Sequence, residues 1–116
     1  MMIRIAVDGA VIATGLLDDN ASTRDFAALL PLDLLLVDYE ATEKIADLPR
    51  RLSTVGAPAS CTPSAGDIAY YAPWGNLAIF YEPSPLSEGL VRLGRLQVGT
   101  EALRRMGTLA VRLAFE

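Results

Sequence analysis

Residues 66–81 have the sequence Gly66-Asp67-Ile68-Ala69-Tyr70-Tyr71-Ala72-Pro73-Trp74-Gly75-Asn76-Leu77-Ala78-Ile79-Phe80-Tyr81. Two runs rich in apolar and aromatic residues, Asp67–Ala72 and Leu77–Glu82, flank the segment Pro73-Trp74-Gly75-Asn76. Proline and glycine this close together are typical of a turn, and short runs of this composition are typical of β-strands. The stretch therefore predicts two consecutive strands joined by a turn.

Strand patterns continue on both sides of this pair. Ile3–Val7 alternates apolar and other residues with period two, and Asp8-Gly9 is a tight hairpin turn that leads into a returning strand, Ala10–Leu17. Further strands are predicted at Leu32–Tyr39, Gly89–Leu96 and Thr108–Phe115. Because Leu32–Tyr39 carries apolar residues at both odd and even positions, we expect both of its faces to be covered.

Two short helices are predicted. The first follows Ser22, which forms a capping box with Asp25, and it ends before Pro31. The second covers Glu101–Met106, with Thr100 as its cap and Gly107 as its stop.

The middle of the chain has a weaker pattern. Glu40–Leu52 is polar and allows a short helix around Glu43–Asp47, which Pro49 would break. Ser53–Gly66 has no periodicity and contains glycine, proline and small residues. We interpret it as an ordered surface loop, either functional or a simple crossover that covers a sheet.

The overall expectation is a mainly β fold with seven or eight short strands and two short helices. A chain of 116 residues with 52% hydrophobic residues is long and apolar enough for one folded domain, residues 1–116. Many short strands joined by Gly/Pro turns favour a closed β-barrel.

Composition excludes several classes of chemistry. The chain has no histidine, so no Ser–His–Asp or Cys–His catalytic site can form within it. With no histidine and a single cysteine, Cys61, we expect no metal site and no cofactor. A net charge of −4 argues against a nucleic-acid partner. We see no signal peptide and no membrane-spanning stretch, and therefore expect a cytoplasmic protein.

Four stretches carry a resemblance to a known family: residues 22–31, 43–49, 66–81 and 90–96. Together they resemble a prokaryotic, bacterial-type family of small cyclophilin-like proteins. The resemblance implies a closed, mainly antiparallel, eight-stranded cyclophilin-like β-barrel with helices at its ends. It does not imply prolyl isomerase activity, because the arginine, Gln-Gly-Gly and histidine motifs of true cyclophilins are absent. No catalytic residue is carried over.

Six residues are candidates for a ligand-binding cleft: Tyr39, Glu43, Lys44, Trp74, Asn76 and Tyr81. Trp74, on a turn, either walls a cleft or acts as an inert lid over the barrel end. Lys44, the single lysine, is either a nucleophile or an exposed side chain paired with Glu40 or Glu43. The other four either line a pocket at an open barrel end or bond to loops.

Other polar groups have simpler interpretations. Asp18, Asp19 and Asn20 offer oxygens to a cation, but a turn and a helix start explain them equally well. Arg92 either binds a carboxylate ligand or, like Arg95, forms an ion pair on the outside of the barrel.

Three classes of function are compatible with this sequence. The first is a module that binds a small molecule or a peptide without isomerase activity. The second is an enzyme, either a divergent prolyl isomerase or a catalyst of another reaction. The third is a protein–protein interaction module, including a homo-oligomer. A groove holding an arginine beside an apolar pocket is expected of an isomerase, and a cavity with convergent polar groups is expected of a binder.

Overall fold

The computed structural model describes all 116 residues, Met1–Glu116. Eight strands form a closed barrel in the order β1-β10-β3-β4-β7-β6-β9-β2, and every pairing is antiparallel. A separate two-stranded sheet joins β5 to β8. The strands are β1 Met2–Val7, β2 Ala10–Leu17, β3 Leu32–Tyr39, β4 Glu43–Asp47, β5 Ser60–Cys61, β6 Asp67–Tyr71, β7 Asn76–Phe80, β8 Ser87–Glu88, β9 Leu90–Val98 and β10 Leu109–Phe115. The predicted barrel is thereby confirmed.

The barrel interior is the main hydrophobic core. Twenty buried residues fill it, among them Ile5, Leu36, Ile79 and Leu113, each with no exposed surface. Alternation along each strand sends one face inward, so β7 contributes Leu77 and Ile79 to this core. Its other face contributes to a second cluster on the outside of the barrel, formed by Ala69, Ala78, Phe80 and Leu90.

The first helix, α1, spans Ala21–Ala27 and lies against β9. The predicted cap is wrong: Asn20, not Ser22, caps this helix, and its side chain accepts a hydrogen bond from the Thr23 backbone N–H. Ser22 is buried and donates to the Ser53 carbonyl oxygen. It cannot serve as the cap because it already lies inside the helix.

The prediction of a helix around Glu43–Asp47 is also wrong, because this segment is strand β4. The hairpin that brings it back along β3 turns through Glu40 and Ala41, whose φ angles are 56° and 53°. Such positive values are uncommon outside glycine, so the sequence carries no ordinary hairpin motif at this turn.

A third correction concerns β3. We expected both of its faces to be covered, but Leu35 and Val37 are 64% and 41% exposed. The physical reason is that α1 packs against β9 and no helix covers the outside of β3.

The second helix, α2, covers only Thr100–Leu103, and Gly99, with φ of 98°, is its N-cap. Thr100 is therefore the first helical residue rather than the cap, and the helix stops before Gly107. The predicted loop over residues 53–66 is confirmed, although β5 interrupts it and pairs with β8. No helix in this fold has the length and apolar character needed to cross a membrane.

Candidate functional site

One end of the barrel interior holds a buried polar cluster. The Lys44 ammonium lies 2.7 Å from the Asp38 carboxylate and donates to the carbonyl oxygens of Arg105 and Gly107, at 2.8 and 2.6 Å. Asp38 also accepts hydrogen bonds from the Tyr81 hydroxyl at 2.9 Å and the Gly107 N–H at 2.8 Å. These contacts connect β3, β4 and the end of β7 to the segment between α2 and β10.

The exposed position expected for Lys44 is wrong, because Lys44 has no exposed surface and its partner is Asp38 rather than Glu40 or Glu43. The strand places Lys44 inward, directly opposite Asp38 in the register of β3 and β4. All three ammonium protons have partners, so the amine is not free to attack a carbonyl group. The hydrogen bond from the Lys44 ammonium is the main reason that the pKa of Asp38 lies below its ordinary value. Burial, with the adjacent Asp38 carboxylate, raises the pKa of Tyr81 to about 12.

A separate cavity of about 190 Å³ opens on the outer face of the barrel. Strands β3, β4, β6, β7, β8 and β9, the β6–β7 turn, and the loops before β6 and after β7 surround it. The residues that line it are Tyr39, Glu43, Pro63, Tyr71, Trp74, Asn76, Phe80, Ser84, Ser87 and Leu90. Four of the six candidate residues from the sequence thus share one cavity, whereas Lys44 and Tyr81 face the barrel interior. The cavity lies on the side of the barrel, not at its end as we had expected.

Three aromatic rings form one wall of the cavity. Trp74 meets Tyr39 and Tyr71 edge-on, with ring centroids 5.6 and 5.2 Å apart and interplanar angles of 84° in both pairs. Trp74 remains 54% exposed. It is therefore a wall of an open cavity and not a lid over the barrel end, and its two edge-on contacts hold the indole in place.

Glu43 is the only ionisable acid or base of the lining apart from the tyrosines. Burial of its carboxyl, together with the nearby charge of Glu40, raises its pKa from the ordinary value of 4.5 to about 7. No lysine or arginine lines the cavity. A carboxyl half-buried without a cationic partner is destabilising when ionised.

This cost predicts an unusual dependence of stability on pH. Between pH 4.5 and 7 the folded state binds more protons at Glu43 than the unfolded state, so the free energy of unfolding falls as the pH rises through this window. We expect Glu43→Gln to remove that slope and to raise the free energy of unfolding at pH 8 by about 1–2 kcal/mol. Urea unfolding at pH 4.5, 6 and 8 measures this. Parallel pH profiles for both proteins would contradict the assigned environment of Glu43.

Asn76 begins β7 and lines the same cavity. Only 2% of its surface is exposed, and its Oδ1 atom has no hydrogen-bond partner. Buried polar atoms nearly always have a partner, and leaving one without costs about 1–3 kcal/mol. The second torsion of asparagine has broad minima, so we expect the side-chain amide to rotate toward a ligand in the cavity. A buried amide oxygen without a partner beside a cavity is the arrangement expected of a residue that binds a ligand.

Two further concave regions carry polar groups that are already paired. A cavity of about 280 Å³ includes Arg92 and Cys61, but the Arg92 guanidinium lies 3.3 Å from Asp18. A shallower depression of about 380 Å³ includes the ion pair of Arg112 with Asp33, at 3.0 Å. Burial raises the pKa of the Cys61 thiol, which lowers its reactivity.

The remaining candidates take structural roles. The ion-pair interpretation of Arg92 and Arg95 is confirmed, and Arg95 pairs with Asp67 at 3.0 Å. The helix-start interpretation of residues 18–20 also holds, because Asn20 caps α1. No group of three or more His, Cys, Asp or Glu side chains is placed to hold a metal ion.

Sequence reasoning missed Asp38 and the floor of the cavity. Phe80 and Leu90 form the floor, and Tyr71 completes the aromatic wall. A signal for Asp38 existed: it lies on the same face of β3 as Leu34 and Leu36, where a charged side chain needs a buried partner.

The comparisons with known proteins concern the fold and the family. The sequence matches the cyclophilin-like family over residues 5–116. The structure is similar to the solution structure of a hypothetical protein from Archaeoglobus fulgidus, with a TM-score of 0.66 and 16% sequence identity. That alignment covers 100% of this chain and 95% of the archaeal chain, and at this identity it shows a shared fold. No curated protein matches the sequence. Because the family match spans nearly the whole chain, this protein belongs to the cyclophilin-like family.

Proposed function

We propose that this chain is a binding module for a small molecule or a short peptide segment, and that the ligand occupies the outer-face cavity. The observation that carries the proposal is the Asn76 amide, buried at the cavity with an unpaired Oδ1. Evolving proteins keep destabilising polar groups where function requires them. The exposed Trp74 ring and the unpaired Glu43 carboxyl on the same cavity agree with this interpretation.

The cavity is small. Its volume of about 190 Å³ lies below the range of about 300–1,000 Å³ that is usual for drug-sized ligands. It therefore fits a small molecule, a headgroup or a single side chain of a peptide. The isomerase alternative would place its chemistry elsewhere, because no arginine lines this cavity, and Arg92 in the neighbouring cavity is paired with Asp18.

Trp74 provides a direct assay, because it is the only tryptophan of the chain and lies on the cavity. We would titrate the protein with four small probes of matched size: n-butylammonium, n-butyrate, n-butanol and N-methylacetamide. The expected result is a saturable change in fluorescence with at least one probe. Native mass spectrometry of the purified protein adds a second measurement, a co-purified small mass.

The matched variants are Asn76→Leu and Ser60→Ala. Asn76→Leu keeps the number and branching of the side-chain heavy atoms but removes both polar atoms, so we expect it to abolish probe binding. Because it also removes an unpaired buried atom, its free energy of unfolding should stay within about 1 kcal/mol of the parent or rise. Ser60→Ala, which lies on the neighbouring cavity, should bind as the parent does.

Two results would overturn the proposal. One is that no probe changes the Trp74 fluorescence, even at a concentration about 100-fold above the millimolar dissociation constants that are usual for such fragments. The other is acceleration of X–Pro isomerisation above the buffer rate that is lost in Arg92→Ala, which would identify the neighbouring cavity as an enzymatic site.

A further inference from the structure

The aromatic wall of the outer-face cavity has the geometry of a cation receptor. Trp74 stands nearly perpendicular to both Tyr39 and Tyr71, so the three rings present faces and edges around one corner. The face of an aromatic ring carries negative potential and attracts cations, most strongly when the ring is tryptophan. With about half of its surface exposed, Trp74 is free to contact a ligand.

Glu43 is the only charged residue that lines this corner. Glu43 supplies a carboxyl to the cavity, and Glu40 on the same hairpin adds negative charge nearby. The Arg51 guanidinium touches the Gly75 turn but donates its hydrogen bond to the Ala72 carbonyl oxygen at 2.7 Å and is not part of the lining. An anionic ligand would therefore meet like charge, whereas a cationic ligand would supply the partner that Glu43 lacks.

The groups that face Glu43 from the neighbouring elements do not change this balance. Tyr39 on β3 and Tyr71 on β6 contribute phenol groups, which cannot carry a positive charge. Behind the sheet, Tyr81 has a raised pKa and adds no positive charge, and the Lys44 ammonium is paired with Asp38. The cavity lining therefore holds no cation that pairs with Glu43.

The hydrogen-bonding groups of the cavity restrict the class of ligand further. The Asn76 Oδ1 atom is an unpaired acceptor, and the Glu43 carboxylate, when ionised, accepts only. A ligand that satisfies both must donate hydrogen bonds. This favours a protonated amine over a quaternary ammonium ion, which has the charge but no proton to donate.

We propose that the outer-face cavity binds the protonated amino group of a small organic ammonium ion, or of a lysine-like side chain, between Trp74 and Glu43. This inference rests on the proposed binding function and names its ligand class. A free amine and a peptide-borne amine share the same recognising chemistry, and the experiment distinguishes the two sources.

The test compares ligands that differ only at the headgroup, with Trp74 fluorescence as the readout. n-Butylammonium should bind about tenfold more tightly than n-butanol, because it adds a cation–π contact with Trp74 and a charge partner for Glu43. n-Butyltrimethylammonium should bind less tightly than n-butylammonium, and n-butyrate should not bind. Nα-acetyl-lysine methylamide is the peptide-like arm: tighter binding than n-butylammonium indicates a peptide ligand, and weaker binding indicates a free amine.

Variants and pH separate the charge from the cavity shape. Glu43→Gln should weaken n-butylammonium binding about tenfold and leave n-butanol binding unchanged, whereas Glu101→Gln on α2, which removes the same charge elsewhere, should change neither.

Because burial and Glu40 raise the pKa of Glu43 to about 7, n-butylammonium should bind more tightly at pH 8 than at pH 6. An alkylamine stays protonated over this range, since its pKa is close to the value of about 10.4 for lysine. Glu43→Gln should lose this pH dependence.

The outcomes distinguish the two levels of the proposal. Equal binding of n-butylammonium and n-butanol, or tighter binding of n-butyrate, would overturn the ammonium assignment and leave the binding function in place. No binding by any probe would overturn both.

Discussion

We expect Lys44→Met to lower the free energy of unfolding by about 3–5 kcal/mol, the usual cost of removing one partner from a buried ion pair. Methionine has a similar length, so the loss arises from charge and hydrogen bonding rather than from a void. The substitution leaves the carbonyl oxygens of Arg105 and Gly107 without their donor and Asp38 without its counter-ion. Equilibrium unfolding in urea measures the loss.

A matched control exists on the outside of the barrel. The ion pair between Arg112 and Asp33 also joins two adjacent strands, but its side chains are 57% and 72% exposed. Exposed pairs contribute about 0–1 kcal/mol, so Arg112→Met should have a small effect. Equal losses for Lys44→Met and Arg112→Met would contradict a stabilising role for the buried cluster.

The same cluster predicts behaviour in acid. The Lys44 hydrogen bond lowers the pKa of Asp38 in the folded state. Asp38 therefore contributes stability above the pKa of an unfolded aspartate, and this contribution is lost as the pH falls through the lowered folded value. In Lys44→Met the acid-dependent part of the unfolding free energy should be smaller than in the parent protein.

The barrel itself was predictable because its signals are local. The period-two alternation of β1, the Asp8-Gly9 turn and the Pro73–Gly75 turn each specify strands without reference to the rest of the chain. Strand β4 was not predictable in the same way. Its hairpin turns at Glu40 and Ala41, two residues that seldom adopt positive φ, so tertiary contacts rather than turn chemistry determine that conformation.

Four of the six candidate residues line the outer-face cavity and two do not. For Glu43 and Lys44, this difference follows from the conformation of β4. A helix at Glu43–Asp47 would have placed Glu43 and Lys44 on adjacent parts of one surface. A strand places them on opposite faces, so Glu43 lines the outer cavity and Lys44 enters the barrel. The unpaired state of Asn76 could not be predicted at all, since it depends on which groups the fold brings to its side chain.

Alanine substitutions at three glycines separate two destabilising effects of an added side chain, namely backbone strain and steric overlap with neighbouring atoms. Gly99 and Gly107 have nearly the same φ, 98° and 102°, but a Cβ at Gly99 would lie 2.2 Å from the Ile12 carbonyl oxygen, whereas nothing lies within 4 Å at Gly107. Gly94 supplies the complementary case. A Cβ there would lie 2.4 Å from the Leu16 carbonyl oxygen, and its φ lies outside the left-handed range.

We expect Gly107→Ala to lose about 1 kcal/mol of unfolding free energy from backbone strain alone. Gly94→Ala should lose about 1–3 kcal/mol from overpacking alone, because the atoms it meets belong to the backbone of β2 and cannot rotate away. Gly99→Ala combines both and should lose about 3 kcal/mol or more. Urea unfolding of the three variants measures these losses.

The relative sizes of the three losses test how tightly β2 is held against its neighbours. If Gly99→Ala and Gly107→Ala lost the same free energy, strain would be the whole cost and β2 would not pack closely against the start of α2. If Gly94→Ala were neutral, β2 and β9 would have room to separate at this point. The expected order, Gly107 below Gly94 and Gly94 below Gly99, requires instead that β2 be held tightly at both contacts, as a closed barrel demands, because neither neighbour can shift without displacing a paired strand.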